Sequence, residues 1–172
     1  IKFSIVRRPP SMPDKYVPLT AAPEADSNPA LWFAFQRSKI VVCGPAEATT
    51  LPACIDPSHH GIETVRRMYL GTYDGQHCYA AEIGAEAALP AGWSAVGLRD
   101  FFGLVDEDLS TVSGRAWQLL EWERNHRYCS RCGTEMQQKK DERARACPAC
   151  HFRVYPPVAP AIMVLVTRGR EL

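Results

Sequence analysis

Short blocks of apolar residues, rather than long periodic runs, organise the first two thirds of the chain. Residues 3–6 read as a short strand. Around them six prolines (Pro9, Pro10, Pro13, Pro18, Pro23 and Pro29) fix φ and remove backbone donors, which predicts an extended, surface-draped lead-in. The run LWFAFQRSKIVV at residues 31–42 reads as two strands about a polar turn at 36–39. Residues 64–83 predict a hairpin, because TVRRMYLGTY and QHCYAAEI flank Asp74-Gly75, a pair suited to the two positive φ angles of a type I′ turn. GLRDFFGLV follows a Pro-Ala-Gly break and reads as a short helix. The clearest helix is residues 110–124, with Ser110 as N-cap and Val112, Ala116, Leu119, Leu120 and Glu123 on a 3.6-residue period. Trp117 and Trp122 fall off or at the rim of that stripe. Strands followed by helices predict an α+β fold across residues 1–125.

Composition narrows the function classes. The chain has 172 residues, 46% of them hydrophobic and 23% charged, which is globular rather than disordered. Its most apolar stretch, residues 158–166, is broken by Pro160 and is far shorter than the ~20 residues of a membrane span. No membrane partner is therefore expected. A net charge of +1 gives no global electrostatic pull towards nucleic acid or any strongly charged partner. Seven cysteines is an odd number, so a closed disulfide framework would strand one thiol. The pattern suits a reducing, cytoplasmic setting, with Cys43, Cys54 and Cys78 as small buried hydrophobes.

The remaining four cysteines carry the chemistry. Cys129-Ser-Arg-Cys132-Gly133 and Cys147-Pro-Ala-Cys150 are two Cys-x-x-Cys knuckles separated by 14 residues, room for a small β-hairpin. Each tight turn aims two sulfurs at one point, and four thiolates in a tetrahedron select Zn²⁺. Four sulfur ligands leave no open position for water, so such a zinc is structural. An iron–sulfur centre and two vicinal disulfides are the competing readings. His126 and His151 flank the cluster as bystanders. Between residues 121 and 155, eight Lys/Arg stand against five acids. That mild surplus, with Tyr128, Phe152 and Tyr155, fits either nucleic-acid contact or a solvated spacer.

After the ribbon, Tyr155-Pro156-Pro157 excludes helix, and residues 161–166 form an apolar, β-branched run typical of a strand buried on both faces. With no partner strand after it, this run is expected to open a further domain that lies outside the chain. The expected organisation is then residues 1–125, a zinc ribbon at 126–157, and the start of another domain at 158–172.

YCSRCG, a glutamate five residues before the third cysteine, CPAC, and VYPPVAPAIMVLV together resemble the zinc-ribbon region of NADH pyrophosphatases in the Nudix hydrolase superfamily. The helix GRAWQLLEWERNHRYC leading into the ribbon also looks like that family. The resemblance is specific over about residues 95–172 and only general before them. It implies an N-terminal domain, a four-Cys zinc ribbon and a catalytic Nudix domain using Mg²⁺ or Mn²⁺. The implied activity is cleavage of NAD(H) to nicotinamide mononucleotide and AMP, or removal of NAD caps from RNA, by a homodimer. The Nudix box G-x5-E-x7-R-E-U-x-E-E-x-G-U does not match: aligning Arg170-Glu171-Leu172 on R-E-U puts Ile162 and Pro156 where Glu and Gly belong. No catalytic residue is therefore expected in this chain, and the polypeptide alone is expected to be inactive. By position, the resemblance assigns substrate contacts to Arg99, Glu142 and Tyr155. Against these stand plainer roles: a helix-start arginine, a glutamate in a solvated loop, and a tyrosine packed on the ribbon. A free-standing nucleic-acid-binding ribbon and a purely structural scaffold are the rival functions.

Overall fold

The computed structural model describes residues 2–5, 15–23, 28–45, 48–157 and 164–167. Strands β1 (Lys2–Ile5), β2 (Tyr16–Pro18), β3 (Ala30–Gln36), β4 (Lys39–Cys43) and β5 (Ala53–Cys54) come first. A 3₁₀ turn at Pro57–His60 leads to β6 (Thr64–Tyr73), β7 (Gln76–Ile83) and β8 (Trp93–Gly97), followed by helices α1 (Leu98–Phe102) and α2 (Glu107–Asn125). The ribbon adds β9 (Gln137–Gln138), β10 (Arg145–Ala146) and β11 (Arg153–Val154), and β12 (Val164–Thr167) follows. The fold is α+β, as the order of elements predicts.

The main sheet runs β2-β6-β7-β3-β4-β8, with β5 added beside β3. Its β3–β7 pair is parallel and the other pairs are antiparallel. The central β3 is buried on both faces, which explains its unbroken apolar sequence. Phe33 and Phe35 face the α2 side, where they meet Ile40, Leu70, Phe101, Val112, Ala116 and Leu120. Trp32 and Ala34 point the other way, into a second cluster with Val41, Ile62, Ala81 and Ile83. The Asp74-Gly75 turn has φ of 50° and 77°, the two positive values a type I′ hairpin requires.

Several expectations are corrected. Helix α2 starts at Glu107, three residues before the expected N-cap Ser110. Asp106 caps it instead, its Oδ1 accepting from the Leu109 N–H at 2.7 Å, and Glu107 and Asp108 add negative charge at the positive end of the helix dipole. Trp122 is buried rather than at the rim, while Trp117 is half-buried and packs on Phe35 with ring centroids 5.1 Å apart. Cys54 and Cys78 are buried, and burial pushes their thiols up to about 11 and about 12, so both are inert. Cys43 is only half-buried.

The expected partnerless strand has a partner. β12 pairs antiparallel with β1, from Lys2 opposite Thr167 to Ile5 opposite Val164. The partner lies upstream, at the far end of the chain, a separation that sequence pattern alone does not reveal. Residues 161–163 of the expected strand lie outside the described residues, as do the side chains of β1 and β12. No described helix is long and apolar enough to cross a membrane.

Candidate metal centre and adjoining site

The ribbon begins where α2 ends. His126 closes the helix, its N–H donating to Trp122 O at 3.1 Å while its Nδ1 lies 2.7 Å from the same carbonyl. Its ring is thereby directed at the helix end rather than at the cysteines. Two knuckles follow with the same backbone pattern. Gly133 N–H donates to Cys129 O at 2.8 Å, and His151 N–H donates to Cys147 O at 3.0 Å. The residue after each second cysteine sits in the left-handed region, Gly133 at φ 75° and His151 at φ 59°. His151 is therefore a backbone corner, filled in the first knuckle by the residue best suited to it.

The four sulfurs converge, all within 4.8 Å of one another. Cys129–Cys150, Cys132–Cys147 and Cys132–Cys150 are separated by 3.5, 3.4 and 3.6 Å. A zinc with Zn–S bonds of about 2.3 Å in a tetrahedron needs sulfurs about 3.8 Å apart, close to these values. A disulfide needs about 2.05 Å, so the quartet is not a pair of vicinal disulfides. The Cys150 N–H also donates to Cys147 Sγ at 3.4 Å, closing the second knuckle on itself. Thr134, through its side chain and its backbone N–H, holds the Cys132 thiol down to about 6. The residues thus fit Zn²⁺, as expected, and Cys129, Cys132, Cys147 and Cys150 would hold it. Around them Met136 is buried and Phe152 and Val154 pack against the cluster. The connecting segment forms the expected hairpin, β9 with β10, and β11, beyond the second knuckle, pairs with β10 to make a third strand.

The ribbon is tied to the main domain by arginines. Arg145 bonds Glu123 of α2 at 3.3 Å and Met136 O at 2.7 Å. Arg143 donates to Tyr69 O at 3.0 Å and to Leu19 O at 2.6 Å, crossing to the β6 edge. Neither was singled out from the sequence; arginines in DERARAC look like solvated charge until the partner carbonyls are in place.

Of the three residues assigned to substrate contact, the structure brings two together. Tyr155 Oη donates to Glu142 Oε2 at 3.0 Å, while Glu142 Oε1 lies 3.4 Å from Lys139 and 3.8 Å from Arg153. Tyr155 is exposed, with its hydroxyl on a carboxylate. Arg99 stands exposed on α1, which packs on β4, β8 and α2. Among the described residues it shares no hydrogen bond or ion pair with Glu142 or Tyr155.

A sheet-and-helix domain leading into a four-thiolate ribbon defines a zinc-ribbon protein with an α+β N-terminal domain. Residues 29–122 match the NADH pyrophosphatase-like rudimentary NUDIX domain, and residues 124–155 match the NADH pyrophosphatase zinc ribbon domain. The chain belongs to that NADH pyrophosphatase-like family. It is 36% identical over 163 residues to the NAD-capped RNA hydrolase NudC of Deinococcus radiodurans, covering 95% of this chain and 54% of the relative. It is 43% identical over 104 residues to the proteins of the same name from Stutzerimonas stutzeri and Pseudomonas fluorescens, covering 60% of this chain and 37% of each. The chain thus spans about half or less of the length of the curated relatives it matches.

Proposed function

We propose that this chain supplies the N-terminal domain and zinc ribbon of a pyrophosphatase acting on NAD(H) or on NAD-capped RNA. Its part is to hold a structural zinc, contact the substrate and support a homodimer in the cytoplasm. The observation that carries this reading is the Tyr155–Glu142 pair at the edge of the zinc ribbon. An exposed phenol ring offers a stacking face to a base or nicotinamide, and the carboxylate beside it accepts from a ribose hydroxyl or an amide. Arg99, exposed on a separate element, would meet a phosphate with its planar fork. The names of the relatives, all NAD-capped RNA hydrolases, support the substrate class.

Bound zinc would supply only a fixed ribbon geometry, since four sulfurs complete its shell. Pyrophosphate hydrolysis in this superfamily calls for Mg²⁺ or Mn²⁺, hard cations that prefer oxygen ligands. Among the described residues the cysteine quartet is the one cluster of metal-binding side chains, and its soft sulfurs do not suit such an ion. The chain is therefore proposed to bind substrate without hydrolysing it alone.

NADH fluorescence titration of the zinc-loaded polypeptide tests both halves. Binding is expected, weakened about tenfold (about 1.4 kcal/mol) by Tyr155→Ala and by Glu142→Gln, with no AMP released. Binding indifferent to both substitutions, or AMP release by the chain alone, overturns the reading.

A further inference from the structure

Two cavities open side by side along β6 and share Arg67 and Tyr69 in their walls. They differ in chemistry.

The first, about 460 Å³, lies where the ribbon loop meets the β6 edge and is lined by Arg67, Lys139, Lys140, Arg143 and Glu123 among others. Most of its charges are already offset. Arg67 pairs with Asp56 at 3.2 Å, Lys139 with Asp141 and Glu142, and Glu123 with Arg145. Arg143 donates to two backbone carbonyls, which use two of its five N–H donors and do not cancel its charge. Lys140 is exposed and has no carboxylate partner among the described residues. Among the described residues, Lys140 and Arg143 thus bring two positive charges to this cavity without a carboxylate partner. A phosphate monoester carries about −1.5 to −2 at neutral pH, the complementary amount.

The second cavity, about 330 Å³, is aromatic, with Tyr69, His77 and Tyr79 in its wall and Asp56 at its rim. This wall is rigid. Trp32 stacks behind Tyr79 at 4.8 Å and 18°, Tyr69 meets Tyr79 at 5.1 Å, and the Tyr69 hydroxyl lies 2.6 Å from His77 Nδ1. Such a wall suits a planar ring and costs little conformational entropy on binding.

We propose that these adjoining cavities bind one nucleotide unit, with its base in the aromatic recess and its phosphate against Arg67, Lys140 and Arg143. Arg67, between the two, reaches a phosphate through the guanidinium donors that Asp56 leaves unused. Each volume falls in or near the range of small-ligand sites, so neither ring nor phosphate needs the fold to open. The site adjoins the Tyr155–Glu142 pair through Lys139, which bonds Glu142, and does not depend on the pyrophosphatase reading. Its source is a free mononucleotide or a nucleotide within a single strand.

Isothermal titration of the zinc-loaded polypeptide uses AMP, adenosine, inorganic phosphate and penta-adenylate as probes. AMP is expected to bind at one site, and adenosine and phosphate each at least about tenfold more weakly, because each fills one cavity only. Arg67→Ala, a change at an exposed residue, weakens AMP about tenfold; Lys140→Ala does so about fivefold. The losses on Arg67→Ala and Lys140→Ala are expected to persist in a Tyr155→Ala background, which separates the site from the proposed substrate contact. Penta-adenylate binding much tighter than AMP, and falling steeply with salt, assigns the site to a strand. Equal affinities assign it to a free nucleotide, and both results uphold a nucleotide unit. Absence of AMP binding at millimolar concentration overturns the proposal. So does affinity untouched by Arg67→Ala and Lys140→Ala, or lost only in Tyr155→Ala.

Discussion

Arg145 of the ribbon and Glu123 of α2 form an ion pair at 3.3 Å, with side chains only 12% and 20% exposed. The pair fixes the ribbon against the helix that precedes it, and Arg145 adds a second bond to Met136 O. Arg145→Ala strands the Glu123 carboxylate and that carbonyl. The expected loss is roughly 2–3 kcal/mol, somewhat below the cost of breaking a fully buried pair, read by urea denaturation.

The same contact has a pH signature. Burial pushes the Glu123 carboxyl above its ordinary value, with Arg145 and Arg66 pulling it back and Glu82 adding to the rise. A raised folded-state value means the folded protein holds its proton more tightly than the unfolded chain. Its contribution is thus full below the ordinary carboxylate range and is lost as pH climbs through the raised value. Glu123→Gln should remove this dependence. Its stability relative to the parent should improve between pH 4 and pH 7, and an unchanged difference across that window would refute the assignment.

Metal removal should act on one region. With sulfurs 3.4–3.6 Å apart, the quartet is not disulfide-bonded, so a strong chelator should unfold the ribbon and a reductant should not. Cys147→Ser, at a ligand that is 1% exposed, should lower bound zinc from about one per chain to near zero by elemental analysis. The near-ultraviolet signal of the main-domain aromatics should survive.

Gly71 is the most constrained glycine of the main sheet. It sits at φ 126°, beside a register shift between Tyr69 and Gly71, and a Cβ there would lie 2.0 Å from Val17 O. Gly71→Ala must both strain the backbone and push β2 off β6, at an expected cost above roughly 3 kcal/mol by thermal melting. Gly133, at φ 75° with open space around its Cβ position, should lose only about 1 kcal/mol on the same change.

His151 provides the converse test. It occupies at φ 59° the corner that Gly133 fills in the other knuckle. His151→Gly should leave zinc stoichiometry intact and stabilise the ribbon by up to about 1 kcal/mol. Loss of zinc in that variant would make the imidazole a ligand.

What could be read from residue order was whatever depends on neighbours a few positions apart. The hairpin at Asp74-Gly75, the strands on either side of residues 37–38 and the two cysteine knuckles are local, and each was legible because backbone angle and side-chain spacing are set within a turn. The cap of α2 was misplaced by four residues, since Ser110 and Asp106 are both good caps and only the acidic first turn separates them. Tertiary structure alone decided the rest: the pairing of β12 with β1, the burial of Trp122, the arginine ties from ribbon to sheet and helix, and the meeting of two cavities at Arg67 and Tyr69. These contacts join residues tens to more than a hundred positions apart. No periodicity encodes such a meeting, because it depends on how complete elements pack and not on the spacing within any one of them.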